Sequence, residues 1–229
     1  MRTLGLIGGM SWESTQTYYQ RLNTQVKQRL GGLNSAKLVL FSVNFAQIEE
    51  LQRQGDWDAA AKILSRAALS LQAAGAEAIV ICTNTMHKVA PEIEQVVSIP
   101  VLHIADATAK ELQSHHIQQV ALLGTAFTME QDFYKQRLIE QGISVSIPTQ
   151  SQRADVHRII YDELCQGKIL PESRHAFVDI IADLKAKGAQ GVILGCTEIG
   201  LLINSDDTDV PLFDTTIIHA QSAVDWALS

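Results

Sequence analysis

One eleven-residue stretch of this chain is echoed later in it. Gly75-Ala-Glu-Ala-Ile-Val-Ile-Cys-Thr-Asn-Thr85 aligns without gaps on Gly188-Ala-Gln-Gly-Val-Ile-Leu-Gly-Cys-Thr-Glu198, which places Thr83 opposite Cys196. A second echo sets Leu4-Gly-Leu-Ile-Gly8 against Val120-Ala-Leu-Leu-Gly124. Each half therefore begins with an apolar run closed by glycine and later carries another closed by a polar cluster. A chain built this way is expected to fold as two related units facing each other.

The class of those units follows from the spacing. Short apolar runs alternate with helical patterns about 12 to 18 residues long, the signature of α/β folds whose parallel sheets are covered by helices. Strands are predicted at 3–7, 37–42, 78–81, 101–103, 120–123, 144–147, 191–194 and 212–213, with helices between them such as Trp57–Ala74 and Ala176–Lys187. Strands buried on both faces read as continuous Val, Ile and Leu, as several of these do. The predicted division is a first α/β domain of residues 1–105 with 211–229, and a second of 106–210.

Composition then removes whole classes of function. The 229 residues carry 18 Lys and Arg against 25 Asp and Glu, a formal charge of −7, and the positive residues are scattered singly. Nucleic acid is not an expected partner of such a surface. The longest apolar runs are about six residues, far below the roughly 20 that span a bilayer, so no membrane association is expected. Thr3 to Met10 has no basic flank or small-residue cleavage site and reads as a first strand, not a signal peptide. Three widely spaced cysteines, Cys82, Cys165 and Cys196, argue against a disulfide framework and for reduced thiols in a cytoplasm.

In open α/β sheets ligands bind beyond the C-terminal ends of the strands, where helix N-termini present unpaired N–H groups. The polar clusters Met10-Ser11, Thr83-Asn84-Thr85, Thr125 with Thr128, and Cys196-Thr197-Glu198 all fall there. Small hydroxyl and amide side chains at such places suit carboxylates; they are also the ordinary helix caps. Cys196 precedes a predicted helix N-terminus, where aligned peptides depress a thiol pKa from about 8.5. Cys82 should point away from Thr83 into the core, and Cys165 should lie within a helix. Gly5-Leu-Ile-Gly-Gly9 lacks the spacing of a dinucleotide site. His115-His116 has no metal-ligand spacing around it, and His87, His103 and His219 sit near strand ends without an assignable role.

Taken together, the residues resemble the aspartate/glutamate racemase family across essentially the whole chain. The matches are Gly8-Gly-Met-Ser-Trp12, Thr83-Asn-Thr85 where the family usually has Cys-Asn-Thr, Gly124-Thr125 with Thr128, Glu163-Leu-Cys-Gln-Gly-Lys168, Gly195-Cys-Thr-Glu198 and Asp214-Thr-Thr216. The form of the Cys196 motif is closer to the aspartate and broad-specificity branch. The resemblance implies two pseudo-symmetric domains with the active site at their interface, no pyridoxal phosphate or other cofactor, no metal, and commonly a homodimer. It also implies two cysteines on opposite faces of the substrate α-carbon, one removing a proton and the other returning one. Here the first is Thr83 and only Cys196 is left, so the expectation is an asymmetric racemase of acidic amino acids that draws its proton from the L form. Met10, Ser11, Asn84, Thr85, Thr125, Thr128, Thr197 and Glu198 would bind the substrate, with Gln52 and Lys168 on its side-chain carboxylate and Arg53 a second source of charge. Two alternatives share the fold: a single-cysteine decarboxylase or isomerase, and a non-catalytic binder of acidic amino acids.

Overall fold

The computed structural model describes residues 1–229 and divides into two compact units, Met1–Ile104 with His219–Ser229, and Ala105–Ile218. In the first unit β1 (Leu4–Gly8) leads to α1 (Trp12–Leu30), β2 (Leu38–Ser42), α2 (Phe45–Gln54), α3 (Trp57–Ala73), β3 (Ala78–Ile81) and α4 (Ala90–Glu94). The second unit takes in nearly all of α5 (Ile104–Ser114), then β4 (Gln119–Gly124), α6 (Ala126–Glu130), α7 (Asp132–Glu140), β5 (Ser144–Ser146), α8 (Gln150–Asp162), α9 (Pro171–Ala186), β6 (Gly191–Gly195), α10 (Ile199–Leu202) and β7 (Leu212–Asp214). The last helix, α11 (Thr215–Leu228), begins in the second unit and ends in the first. No helix is long and apolar enough to cross a membrane.

Both sheets are parallel, in the orders β2-β1-β3 and β5-β4-β6-β7. Their registers repeat the sequence echo. Leu4 pairs with Ala78 as Val120 pairs with Gly191, and Ile7 with Ile81 as Leu123 with Leu194. Beyond β3 the predicted strand 101–103 is reduced to one parallel bridge, Ile79 to Val101, in the place where β7 pairs Leu212 with Val192. Even the anchoring bonds match, since Ile79 N–H donates to the Pro100 carbonyl and Val192 N–H to that of Pro211, each at 2.8 Å. Because β7 completes the second sheet, residues 211–218 belong to the second unit and not, as predicted, to the first.

Alternation along the strands explains the first unit's two apolar layers. Ile7, Ile79 and Ile81 pack against α3 through Leu64, Ala67, Ala68 and Leu71, while Leu4, Leu6, Ala78, Val80 and Cys82 face Tyr18, Leu22 and Val26 of α1 and Ala220, Ala223 and Val224 of α11. Small alanines on α3 let that helix approach the sheet closely. At roughly 25 cal/mol per Å² of apolar area, each fully covered Leu or Ile contributes about 2 kcal/mol, so these layers hold the strand ends rigidly. The turn after β1 needs glycine: Gly9 has φ +89°, and a Cβ there would come within 2.2 Å of the Val43 carbonyl oxygen.

Candidate functional site

The C-terminal ends of β1 and β3 carry the first polar cluster. Ser11 caps α1, its side chain accepting from Ser14 N–H at 3.2 Å. Met10, expected to contact substrate, is 4% exposed and packs in the apolar layer that holds Ile48 and Met86. Thr83 is partly exposed, while Asn84 and Thr85 are buried at the start of a 3-10 turn over Thr85–Val89. Gln52, expected just past its helix, is inside α2 and buried; Nε2 donates to Met86 Sδ at 2.9 Å and Oε1 has no partner. A buried amide oxygen without a donor is costly. Arg53, by contrast, is exposed and paired with Glu50.

Behind Thr83 lie three buried imidazoles. Ile104 N–H donates to His87 Nε2 at 3.2 Å, and His87 Nδ1 is 2.8 Å from the Thr83 carbonyl oxygen. His103 packs against His87 with ring centroids 4.6 Å apart, and His219 lies 5.5 Å from it. The Tyr18 hydroxyl is 2.8 Å from His219 Nδ1, and His219 Nε2 is 2.7 Å from the Leu102 carbonyl. That carbonyl can only accept, so Nε2 carries the proton and Tyr18 donates to Nδ1. Burial pushes the His219 pKa down to about 4, which keeps the ring neutral. The sequence placed these histidines at strand ends, but only the fold brings them together.

The second cluster sits at the ends of β4 and β6, whose last residues, Gly124 and Gly195, are register partners. Thr125 caps α6, accepting from Thr128 N–H at 3.3 Å with the two hydroxyl oxygens 3.2 Å apart. Ala126 N–H donates to His157 Nδ1 at 3.1 Å, so this amide is already engaged. Cys196 follows β6, and its thiol donates to Glu198 Oε2 at 3.0 Å. Thr216 donates to the Thr197 hydroxyl at 3.2 Å. Lys168 is exposed, and its Nζ donates to Gln166 Oε1 at 2.8 Å.

One expectation about the thiol is reversed. Its pKa was predicted to fall at a helix N-terminus, yet α10 is a single turn, and the surroundings push the thiol well above its ordinary value. Burial is the main cause; the Glu198 carboxylate, nearby Cys165 and the hydrogen bond to Glu198 add to it. The resting group is a thiol aimed at a carboxylate. Cys165 also differs from expectation, since it lies in a 3-10 turn over Leu164–Gln166 after α8 has ended. Cys82 is buried as expected, and burial raises its pKa.

The chain is thus a duplicated α/β fold with a thiol–carboxylate pair at one strand end and a hydroxyl at the equivalent end of the other copy. The comparisons give the class a name. The family model of the Asp/Glu/Hydantoin racemases matches residues 7–223, and the chain belongs to that family. It is 24% identical to the broad specificity amino-acid racemase of Bacillus subtilis (strain 168), over 99% of this chain and 98% of that one. A candidate Asp/Glu racemase from Yersinia pestis superposes with a TM-score of 0.95 at 56% identity, covering 100% of both chains. An aspartate racemase homologue from Pyrococcus horikoshii OT3 gives 0.88 at 34%, again covering 100% of both. By family the protein is an isomerase of the racemase class.

Proposed function

We propose that the protein racemises acidic amino acids without a cofactor, with Cys196 as the base and the Thr83 side as the slower proton donor. The observation that carries this is the Cys196–Glu198 hydrogen bond at a strand end whose duplicate bears Thr83. As substrate binds, the thiol gives its proton to Glu198, and the thiolate so formed takes the α-proton of the L form. A raised thiol pKa lowers the population of thiolate but makes it the stronger base, which suits a weakly acidic Cα–H. The carbanion then receives a proton on its other face from the Thr83 side, which inverts the centre.

A hydroxyl is far too weak an acid to match a thiol in that second step. Thr83, or a water it orients, therefore returns the proton slowly, and the carbanion more often recaptures one from Cys196 after the thiol has exchanged its proton with solvent through Glu198. Ser11, Asn84, Thr85, Thr125, Thr128 and Thr197 would hold the α-carboxylate and ammonium groups. Gln52, through its amide N–H, and Lys168, the one cation of the set, would take the side-chain carboxylate. Aspartate and broader acidic substrates are favoured by the relatives above.

The asymmetry has a defined readout. At equilibrium L and D forms are equal in energy, so kcat/KM must be the same in both directions whatever the mechanism. Exchange and inversion are not so tied. In deuterated water L-aspartate should lose its α-proton several times faster than it becomes D-aspartate. Equal rates of exchange and inversion, starting from L, would contradict a slow Thr83 step, and no exchange from either form would overturn the racemase reading.

A further inference from the structure

The carbonyl of Thr83 is held by a side chain, not by a sheet partner. His87 Nε2 accepts the Ile104 N–H, so Nδ1 carries the ring proton and donates it to Thr83 O at 2.8 Å. The ring is 1% exposed and wedged against His103 and His219. It thereby ties the end of β3 to the start of α5, two segments joined at the sheet by the Ile79–Val101 bridge. The second copy makes the connection with a hydroxyl instead, Thr215 at the start of α11 donating to the Leu194 carbonyl at 2.9 Å. The residue equivalent to His87 is Gly200 and the one equivalent to His103 is Asp214, whose Oδ2 would lie 2.8 Å from a Cβ at position 200.

We propose that His87 is a positioning residue for the proton return at Thr83, and this rests on the racemase reading above. A C–O bond is shorter than a C–S bond, so a hydroxyl in a cysteine's place reaches less far toward the α-carbon. Its backbone must then be held more closely, because a misplacement of about 1 Å can cost on the order of 100-fold in rate. His87 supplies that hold by fixing the Thr83 carbonyl, and the packed rings behind it keep the imidazole from turning. Cys196 needs no such support, having the longer bond and a carboxylate partner.

The test follows L-aspartate in deuterated water, with proton exchange read by NMR and D-aspartate read by chiral chromatography, for wild type, His87→Phe and His87→Asn. Phenylalanine keeps the bulk and removes both hydrogen bonds; asparagine restores an N–H toward Thr83. His87→Phe should lower inversion tenfold or more while exchange from L stays within twofold, and His87→Asn should recover at least half of the loss. Exchange and inversion falling in step, or a ratio unchanged in both variants, would overturn the positioning role and leave the racemase reading standing. Wild type that exchanges neither enantiomer would overturn both. Nitrogen-15 NMR of the histidines in the unmodified protein gives a check that needs no variant: His87 should carry its proton on Nδ1, and a proton on Nε2 would contradict the bond on which the proposal stands.

Discussion

The two copies of the strand-end motif share a backbone register and differ in what stands behind it. Behind Thr83 the chain places imidazoles, His87, His103 and His219, tied to carbonyls, amides and a tyrosine hydroxyl. At Cys196 it places carboxylates: Glu198 on the thiol, and Asp214 with Oδ1 accepting the Thr216 and Ile217 N–H groups at the start of α11. Two halves of like register thus carry two different local electrostatics. Under the proposed mechanism the carboxylate side receives a proton and the imidazole side fixes geometry.

Among changes to the groups that stand behind the two strand ends, the largest effect should come from neutralising the carboxylate. Glu198→Gln removes the acceptor for the thiol proton, and acid–base partners of this kind contribute roughly 10²- to 10⁴-fold. Exchange of the L-aspartate α-proton should drop by at least about 100-fold. The same change removes the charge that helps hold the thiol up, so the pH midpoint for alkylation of Cys196 by iodoacetamide should move down even as catalysis fails. Faster alkylation with slower exchange separates a proton acceptor from a merely repulsive neighbour; exchange within a few-fold of wild type would remove Glu198 from the mechanism.

The imidazole side should show itself in stability. Above pH 6.5 both folded and unfolded chains hold His219 neutral, and it contributes no pH dependence. Below 6.5 the unfolded chain takes up a proton that the folded chain refuses until about pH 4, so stability falls across that window. The gap corresponds to about 3 kcal/mol in all. Denaturant unfolding at pH 7 and pH 4.5 should show most of this loss, and His219→Gln should remove that part of the slope. Equal stability at the two pH values would mean the ring is not buried neutral.

A smaller effect sharpens the comparison from the other direction. Thr83→Cys gives the first copy the thiol that the family pattern has there, so inversion of L-aspartate should rise roughly three- to tenfold toward the rate of exchange, because a thiol is the better proton donor. A ratio of inversion to exchange that stays at the wild-type value would show that the donor on that side is something other than residue 83.

Much of this was legible in the sequence, and the reasons are local. The echo of Gly75–Thr85 in Gly188–Glu198 pointed to two of the strands and to the equivalence of Thr83 and Cys196, because an apolar run between a glycine and a polar cluster marks a buried strand of a parallel sheet. What it left open depended on distant contacts. Val101 fails to extend a strand while Leu212, its equivalent, succeeds, and nothing in either segment distinguishes them. Met10 reads as a residue of a polar strand end, and its burial beside Ile48 and Met86 depends on α2 and the turn after β3. The direction of the Cys196 pKa turned on a carboxylate two residues away being buried with it, while the helix dipole invoked against it was too short to matter. The histidines were visible as residues 87, 103 and 219, but only the chain's return through α11 brings the last beside the first two.

The central claim is that Cys196 is the base, and α-proton exchange in deuterated water measures that step apart from inversion. Wild type and Cys196→Ala would be followed by NMR on L- and D-aspartate and L- and D-glutamate. The account predicts exchange from an L form in the wild type, faster than inversion, and its loss by at least about 1,000-fold in Cys196→Ala with the fold intact. Exchange that survives the loss of the thiol would contradict it.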